Sequence, residues 1–266
     1  MLFCPVAMLG GITMVRGLYT AATGMMVQRN KMDVLTNNIV NAETTGFKED
    51  TLVSSSFSGK MLELLNDPNA TLVGSDVGEY NFGTHIQQLF TDFSDGSYEQ
   101  TGNNTDLAIE GDGFFVVETQ DGERLTRSGN FTVDGNGDLV TSDGNYVLGE
   151  NGHVNVGNSD FSVSSDGTVT ANGSTVDTLR LETVDDTSTL RKQGDNLYYI
   201  YGDGTTQDAT GASVLQGYQE SSNVNISDSM VDLLTLYRKY EASQKMVTMT
   251  DETVGLAVNK LGSLGG

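Results

Sequence analysis

The chain contains very little cysteine, tryptophan and proline. It has one cysteine, no tryptophan and two prolines among 266 residues. Because the only cysteine is Cys4, an internal disulfide is excluded and a cysteine metal site is implausible. No apolar run approaches the roughly 20 residues that span a bilayer, so the sequence does not predict an integral membrane protein.

Positive charge is also scarce. The 14 Lys and Arg residues stand against 36 Asp and Glu residues, which leaves a net charge of −22 at pH 7. Binding of phosphates would have to work against this overall field. We therefore expect no nucleic-acid partner.

The start of the chain is apolar but does not fit a secretory signal peptide. Residues 1–13 lack a basic leader, because the first positive charge, Arg16, follows the apolar part. We expect translation to begin at Met14, and otherwise expect residues 1–13 to be disordered. A chain that began at Met14 would contain no cysteine.

The C-terminal region carries an apolar stripe whose members are spaced alternately three and four residues apart, which predicts a long helix. Ser227 is placed to cap it, Asp228 suits the positive end of its dipole, and Gly262 is placed to stop it. Such a helix is about 50 Å long and needs a partner. The stripe consists of Met230, Leu233, Tyr237, Tyr240, Gln244, Val247, Asp251, Val254, Val258 and Leu261.

A second stripe of the same kind predicts a helix from Val15 to about Asn41. One such helix usually packs on its own globular core, but two at opposite ends of a chain favour a coiled coil with each other and with other subunits. Its members are Leu18, Ala21, Met25, Gln28, Met32, Leu35 and Ile39. We expect the polar Gln28, Gln244 and Asp251 to specify register.

The region between the stripes reads as antiparallel β structure. Asp-Gly and Asn-Gly pairs, which favour tight hairpin turns, recur between Asp95 and Gly204. They separate short β-branched and aromatic runs, which predicts a sandwich or barrel-like domain. The candidate strands are 86–90, 107–110, 114–118, 124–127, 131–133, 139–141, 146–148, 161–163, 168–170, 179–184 and 197–201.

The expected fold class is therefore α+β, with a β-rich domain inserted between two long terminal helices. We expect a discontinuous helical domain from residues 14–48 and 216–266, a linker region at 49–83, and a β-rich outer domain at 84–215.

Four sequence features could carry chemistry, and each has a better structural interpretation. The run 134–139 begins like a calcium loop but lacks the required Gly and Glu, so a hairpin turn is favoured. The run 111–114 lacks the third glycine and the helix of a nucleotide loop. His85 and His153 have no neighbouring ligand residues.

Paired acids are the fourth such feature. Asp185-Asp186 and Glu49-Asp50 could serve glycoside hydrolysis, but in so acidic a chain adjacency is expected and a solvated acidic face is favoured. The sequence thus predicts no catalytic, cofactor-binding or metal-binding residue.

Three segments carry a resemblance to a known family. They read TNNIVNAETTGFK at 36–48, NNTDLAIEGDGFFVV at 103–117 and QGYQESSNVNISDSMVDLLTLYRKYEAS at 216–243. In this order and spacing they resemble the bacterial flagellar basal-body rod and hook proteins, over nearly all of residues 14–261. The signature residues are Asn37, Asn38, Asn41, Thr45, Gly46, Phe47, Gly111, Gly113, Phe114, Phe115, Gln216, Gly217, Asn223 and Val224.

The resemblance implies a structural protein and not an enzyme. Members of that family form the axial shaft of the flagellum outside the cytoplasm. They do so as homopolymers next to other rod and hook subunits, without a cofactor. It also implies type III export, for which Phe57 and Met61 match the spacing of the family's export motif. The single β domain favours the rod, and the length of 49–83 favours its distal part.

Two alternatives stay open at this point. The first is a hook or hook-junction protein of the same family. The second belongs to a different class, a secreted β-rich protein that binds or cleaves cell-wall polysaccharide, which would need two convergent acids in an aromatic-lined cleft.

Overall fold

The computed structural model describes residues 6–57, 60–63, 76–80, 83–157, 160–194, 196–202 and 204–263. Two long helices flank a β-rich part in the sequence: α1 is Val6–Val40 and α2 is Ile226–Ser263. The α+β class and the antiparallel β structure between the helices are confirmed.

The predicted helix boundaries were partly wrong. Helix α1 begins before Val15, and α2 begins at Ile226, so Ser227 lies inside the first turn and Asn225, a residue type favoured at caps, precedes the helix. Gly262 does not stop α2, which continues to Ser263, since a glycine in a last turn weakens a helix without having to end it. Asp228 does lie in the first turn, as expected.

The side chains of the two predicted stripes differ in how far they are buried. On α1, Met25, Gln28, Met32, Leu35 and Ile39 are all half-buried, and Leu18 is exposed. The stripe therefore marks the more covered face of this helix.

On α2 the covered face is shifted from the predicted stripe. Leu233, Tyr240 and Val247 lie on it, but the predicted positions between them are exposed, including Met230 and Tyr237. The covered positions keep a seven-residue repeat, and every second one lies one residue before its predicted counterpart, so the covered face is turned partly around the helix axis. The covered face comprises Ser229, Leu233, Leu236, Tyr240, Ser243, Val247 and Thr250.

Every predicted strand is present, and the structure adds several that are short or polar. A 3₁₀ turn spans Thr187–Thr189. The strands are β1 Asp50–Ser56, β2 Lys60–Glu63, β3 Asp76–Tyr80, β4 Thr84–Thr91, β5 Tyr98–Gln100, β6 Leu107–Glu110, β7 Phe114–Thr119, β8 Gly122–Thr126, β9 Thr132–Val133, β10 Leu139–Val140, β11 Tyr146–Gly149, β12 Gly152–His153, β13 Phe161–Val163, β14 Thr168–Ala171, β15 Ser174–Thr178, β16 Leu181–Val184, β17 Leu190–Gly194, β18 Leu197–Ile200, β19 Thr206–Asp208, β20 Ser213–Gln216 and β21 Tyr218–Glu220.

Strand β7 is the centre of the largest sheet. That sheet runs β17-β18-β8-β7-β11-β10-β9, with β12 on β11, β16 on β7 and β19 on β16. Its pairings are antiparallel, and β7 pairs with β8, β11 and β16. Smaller sheets are β13-β14-β15, β20-β6, β21-β5, β1-β4 and β2-β3.

The apolar run of β7 separates two hydrophobic cores. Phe115 and Val117 face the larger core, and Phe114 and Val116 face the smaller one. Successive side chains of a strand point to opposite faces, so a run of four apolar residues is what a strand buried on both faces requires. Residues of β13 and β14 close the larger core.

The described chain forms two compact units. One, which we call the β domain, comprises residues 38–49 and 91–226. The other contains the described residues of 1–37, 50–90 and 227–266. Strands β5 to β21 all lie in the second stretch of the β domain, and the first stretch joins it through the contacts described below.

Gly129 should be indispensable for the β domain. A Cβ there would overlap the carbonyl oxygen of Leu107, while Leu107 donates its own N–H to the carbonyl of Gly129 at 2.9 Å. We expect Gly129→Ala to lower the free energy of unfolding by roughly 2 kcal/mol or more, measured by urea denaturation. Gly135→Ala is the control, because nothing lies within 4 Å of a Cβ at that position. Equal stabilities of the two variants would contradict this expectation.

Candidate functional site

Three charged side chains from distant parts of the sequence meet inside the β domain. Lys48, Arg127 and Glu220 are 1%, 3% and 1% exposed, and such residues are almost never fully buried unless paired. The ammonium of Lys48 lies 2.5 Å from Oε1 of Glu220, and the guanidinium of Arg127 lies 3.4 Å from Oε2. We call these three residues the charge cluster.

Backbone groups satisfy most of the remaining hydrogen-bonding capacity of the cations. Lys48 Nζ donates to the carbonyl of Ser94 at 2.8 Å. Arg127 donates to the carbonyls of Ile109 and Gly111 at 3.1 and 2.7 Å. These hydrogen bonds hold both cations in one position against the backbone, so the cluster also fixes the loops around it.

Two further groups complete the surroundings of the cluster. The backbone N–H of Gly96 donates to Oε1 of Glu220 at 3.0 Å. Asp95, whose side chain is 42% exposed, forms an ion pair with Arg127 at 3.2 Å. The two cations of the cluster therefore face one buried anion, Glu220, and one anion at the surface, Asp95, which balances the charge.

Burial shifts the proton affinities of groups in and next to the cluster. Burial lowers the pKa of Lys48, and the hydrogen bond and charge of Glu220 oppose this effect. Burial raises the pKa of Tyr98 to about 12, and the negative charges of Asp95 and Glu220 act in the same direction. The phenol donates to the carbonyl of Ile109 at 3.0 Å.

The loop after α1 is pinned to the segment before α2 by further contacts within the β domain. Gly46 donates its N–H to the carbonyl of Glu220 at 2.8 Å and has φ +68°. A Cβ at this position would lie 2.6 Å from the backbone of Arg127, so only glycine fits. Thr45 donates its hydroxyl to Gln219 at 3.0 Å.

Asn223 acts as a bridge between the same segments. Its Oδ1 accepts the N–H of Glu49 at 2.8 Å, and its Nδ2 donates to the carbonyl of Asp92 at 2.9 Å. Val224 beside it is buried. An amide side chain can donate and accept at once, which explains an Asn at this position.

The middle and C-terminal signatures meet at a second place. Gly217 donates its N–H to the carbonyl of Asp106 at 2.8 Å. Gln216 donates to the carbonyl of Asn104 at 2.8 Å and accepts the N–H of Val163 at 3.0 Å. Asp106 in turn accepts the hydroxyl of Thr101.

Other signature residues have packing roles. Phe114 and Phe115 lie in the two cores, and Phe47 is buried beneath the ammonium of Lys192 at 4.2 Å. Gly113 lies close to Ala209 and Ala212. Among the asparagines, Asn38 is buried, Asn41 is half-buried and Asn37 is exposed.

The features for which chemistry was rejected are structural in this fold. The run 134–139 consists of the turn between β9 and β10 and the first residue of β10. In the turn, Asp134 accepts the N–H groups of Asn136 and Asp138 at 2.8 and 2.9 Å. These bonds, from Asp138 first, lower the pKa of Asp134. The run 111–114 leads into strand β7 and not into a helix.

The histidines and paired acids are not brought together. His85 stacks on Phe57, and His153 stacks on Tyr146. Asp186 caps the 3₁₀ turn through Ser188. Within the described residues no three His, Cys, Asp or Glu side chains are placed to share a metal ion, and neither helix is long and apolar enough to cross a membrane.

The signature segments of the sequence contain Lys48 and Glu220, but the sequence predicted neither Arg127 as a partner nor the cluster itself. Each charge stands close to glycine or aromatic residues: Lys48 in Gly-Phe-Lys, Arg127 in Thr-Arg-Ser-Gly and Glu220 in Gly-Tyr-Gln-Glu. No local pattern in these segments indicates that the three charges meet.

Three family profiles match the chain in order. A profile for flagellar basal body rod proteins matches residues 18–48. One for the D1 domain of the flagellar hook proteins FlgE, FlgF and FlgG matches 108–171. One for the C-terminal part of flagellar basal body rod FlgE, FlgF and FlgG proteins matches 215–259. Each of the three residues of the charge cluster lies inside one of the matched segments.

Individual proteins are similar over almost the whole chain. The flagellar basal-body rod protein FlgF of Caulobacter vibrioides is 36% identical over 250 residues, which covers 93% of this chain and 98% of the relative. The rod protein FlgG of Bacillus subtilis is 34% identical over 262 residues, with 92% and 99% covered. The hook protein FlgE of Treponema pallidum is 35% identical over 124 residues, with 47% and 27% covered.

Loss of Glu220 should be far more damaging than loss of a surface acid. Glu220→Ala leaves two buried cations without their shared anion, and we expect about 3–5 kcal/mol less stability in urea denaturation. The control is Glu123→Ala. It removes a partner that Arg180 contacts at 2.9 Å, but the Glu123 side chain is 54% exposed, so its loss should cost less than about 1 kcal/mol. Similar costs for both would show that the cluster is not a structural tie.

Tyr98 should be visible in a spectroscopic titration. Because its folded pKa is raised to about 12, the phenol supports folding fully below its ordinary value of about 10, and this contribution is lost as the pH rises towards 12. The phenolate absorbance of the folded protein should include a step near pH 12 that Tyr98→Phe lacks. An unchanged titration curve in the variant would refute this assignment.

Proposed function

Because this chain belongs to the family of flagellar basal-body rod and hook proteins, we propose that it builds the rod and that its helices complete their packing only on assembly. The protein is a structural subunit of the flagellar basal body. The observation that carries the proposal is the contrast between a closed β domain and two helices whose apolar side chains are exposed.

Coverage of the relatives favours the rod over the hook. The chain spans 98% and 99% of two rod proteins but 27% of a hook protein. The length of 49–83 adds support for the distal part of the rod.

The apolar surface of α2 is the main assembly surface in this proposal. Val231, Leu234 and Leu256 are 62%, 61% and 64% exposed, and they lie on the side opposite the half-buried face of the helix. An exposed apolar face of this length is typical of a protein interaction surface. Copies of the same chain and neighbouring rod and hook subunits would cover it.

The half-buried faces of α1 and α2 support a coiled coil between the two termini, completed by neighbouring subunits. Gln28 adds a specific requirement. Its Oε1 is buried and has no hydrogen-bond partner among the described residues, and an unpaired buried oxygen is costly. In the assembled rod, Gln28 would accept a hydrogen bond from a neighbour and thereby set register, as would the exposed Gln244 and Asp251.

The β domain serves as a rigid body that holds the chain segments next to both helices. The charge cluster and Asn223 support this role, because a buried ion pair and further hydrogen bonds join residues 45–49 to residues 219–223. Such a tie transmits force without chemistry, and we propose that the protein has no enzymatic activity, needs no cofactor and acts through its interfaces.

Delivery to the rod would use the type III export apparatus. Phe57 is 36% exposed and stacks on His85, so in the folded chain it is engaged with a neighbouring strand. The side chain of Met61 lies outside the described residues, as does that of Leu261. We propose that Phe57 and Met61 are recognised before folding, when both are accessible.

The proposal is tested by deleting the gene and examining purified basal bodies by electron microscopy. We expect rods to be absent or truncated, and normal rods would overturn the proposal. Complementation with Leu234→Glu should fail, because a carboxylate would be buried between subunits. Leu234→Met keeps an apolar side chain of similar size at the same position and should restore rods. Both variants should unfold at the same urea concentration as the wild type.

A further inference from the structure

The exposed sides of the two helices contain a set of methionines with accessible sulfur atoms. Met26, Met230, Met246 and Met249 are 66%, 50%, 63% and 59% exposed. Met25 and Met32 lie on the covered face of α1 and are half-buried. Exposure of long apolar side chains at this level is unusual unless another surface covers them.

Apart from methionine, side chains that a two-electron oxidant attacks are almost absent from this chain. There is no tryptophan, and the single cysteine is Cys4. Methionine is therefore the principal side chain that a two-electron oxidant can attack, and its susceptibility follows solvent access.

We propose that Met26, Met230, Met246 and Met249 are an oxidation-sensitive modification site that controls whether the subunit can assemble. The reactive partner is a peroxide. One peroxide oxygen is transferred to the thioether sulfur, the O–O bond breaks, a sulfoxide S–O bond forms, and water leaves. Sulfur loses two electrons and the peroxide gains them. Methionine sulfoxide reductase reverses the modification with a dithiol as reductant: the S–O bond breaks, the oxygen leaves as water, sulfur gains two electrons and the dithiol becomes a disulfide.

The effect on assembly follows from the change in polarity. A thioether is apolar and adapts to an irregular surface, whereas a sulfoxide is polar and chiral. Burying a sulfoxide in a subunit interface without a hydrogen bond is unfavourable. The oxidised subunit would remain folded, because these four side chains lie outside the two cores of the β domain.

The site deepens the proposed function and rests on it, because the methionines matter only if neighbouring subunits cover them. It also sets an order of events. Peroxide reaches the sulfur atoms of a free subunit, whereas neighbouring subunits cover these atoms in a subunit that assembles before it is oxidised. The assembly state would thus decide which subunits remain sensitive to peroxide.

The first measurement is the pattern of oxidation. The purified full-length chain is treated with hydrogen peroxide, and peptide masses are followed for the gain of about 16 Da per oxygen. Met26, Met230, Met246 and Met249 should gain oxygen several-fold faster than Met25 and Met32. Equal rates at all six positions would overturn the assignment of the site, whether or not the chain assembles.

The second measurement is assembly by sedimentation of untreated, oxidised and re-reduced chains. Oxidation should raise the concentration needed for assembly at least about tenfold, and methionine sulfoxide reductase should restore it. A variant with leucine at the four positions keeps the apolar surface without the sulfur. It should assemble like the untreated chain and be unaffected by peroxide.

The outcomes separate this proposal from the proposed function. If the leucine variant loses assembly after peroxide treatment, or if the fully oxidised wild type assembles normally, the four methionines do not control assembly. If the untreated wild type forms no assembly even with other rod subunits, the proposed function fails. In that case the regulatory proposal fails with it, while the peptide masses still decide which methionines react.

Discussion

The two ion pairs of the Glu220 carboxylate are the interactions on which the rest of the architecture depends. This carboxylate holds Lys48 on one oxygen and Arg127 on the other in an interior where none of the three is accessible to water. Buried ion pairs add little net stability compared with apolar packing, but removal of one partner is severe, and their directional geometry favours one arrangement. Here that arrangement joins the segment after α1 to the segment before α2.

The β domain and the two helices differ in how completely their apolar side chains are buried. The β domain is closed by two hydrophobic cores on either side of β7 and by polar side chains that bond backbone groups. The helices instead leave apolar side chains exposed, and long isolated helices gain most of their stability from packing partners. Such a subunit has a complete β domain, and in the proposed function the packing of its helices is completed by neighbouring subunits.

The sequence predicted features that depend on local pattern, and missed those that depend on distant partners. Strand β7 was predictable because Phe114 to Val117 form an apolar run, and the turns were predictable from Asp-Gly and Asn-Gly pairs. Strand β17, with Arg191, Lys192 and Gln193, has no such pattern and is defined by its pairing with β18. The charge cluster was not predictable because 172 positions separate Lys48 from Glu220, and nothing local reveals that they meet.

The central claim is that assembly completes the helices while the β domain is already complete. Hydrogen exchange, followed by mass spectrometry on free subunits and on isolated rods, tests it most directly. Peptides covering β6 and β7 should exchange slowly in both states, and peptides of α1 and α2 should exchange rapidly in the free subunit and slowly in the rod. Helices that are already as protected as β7 in the free subunit would contradict the account.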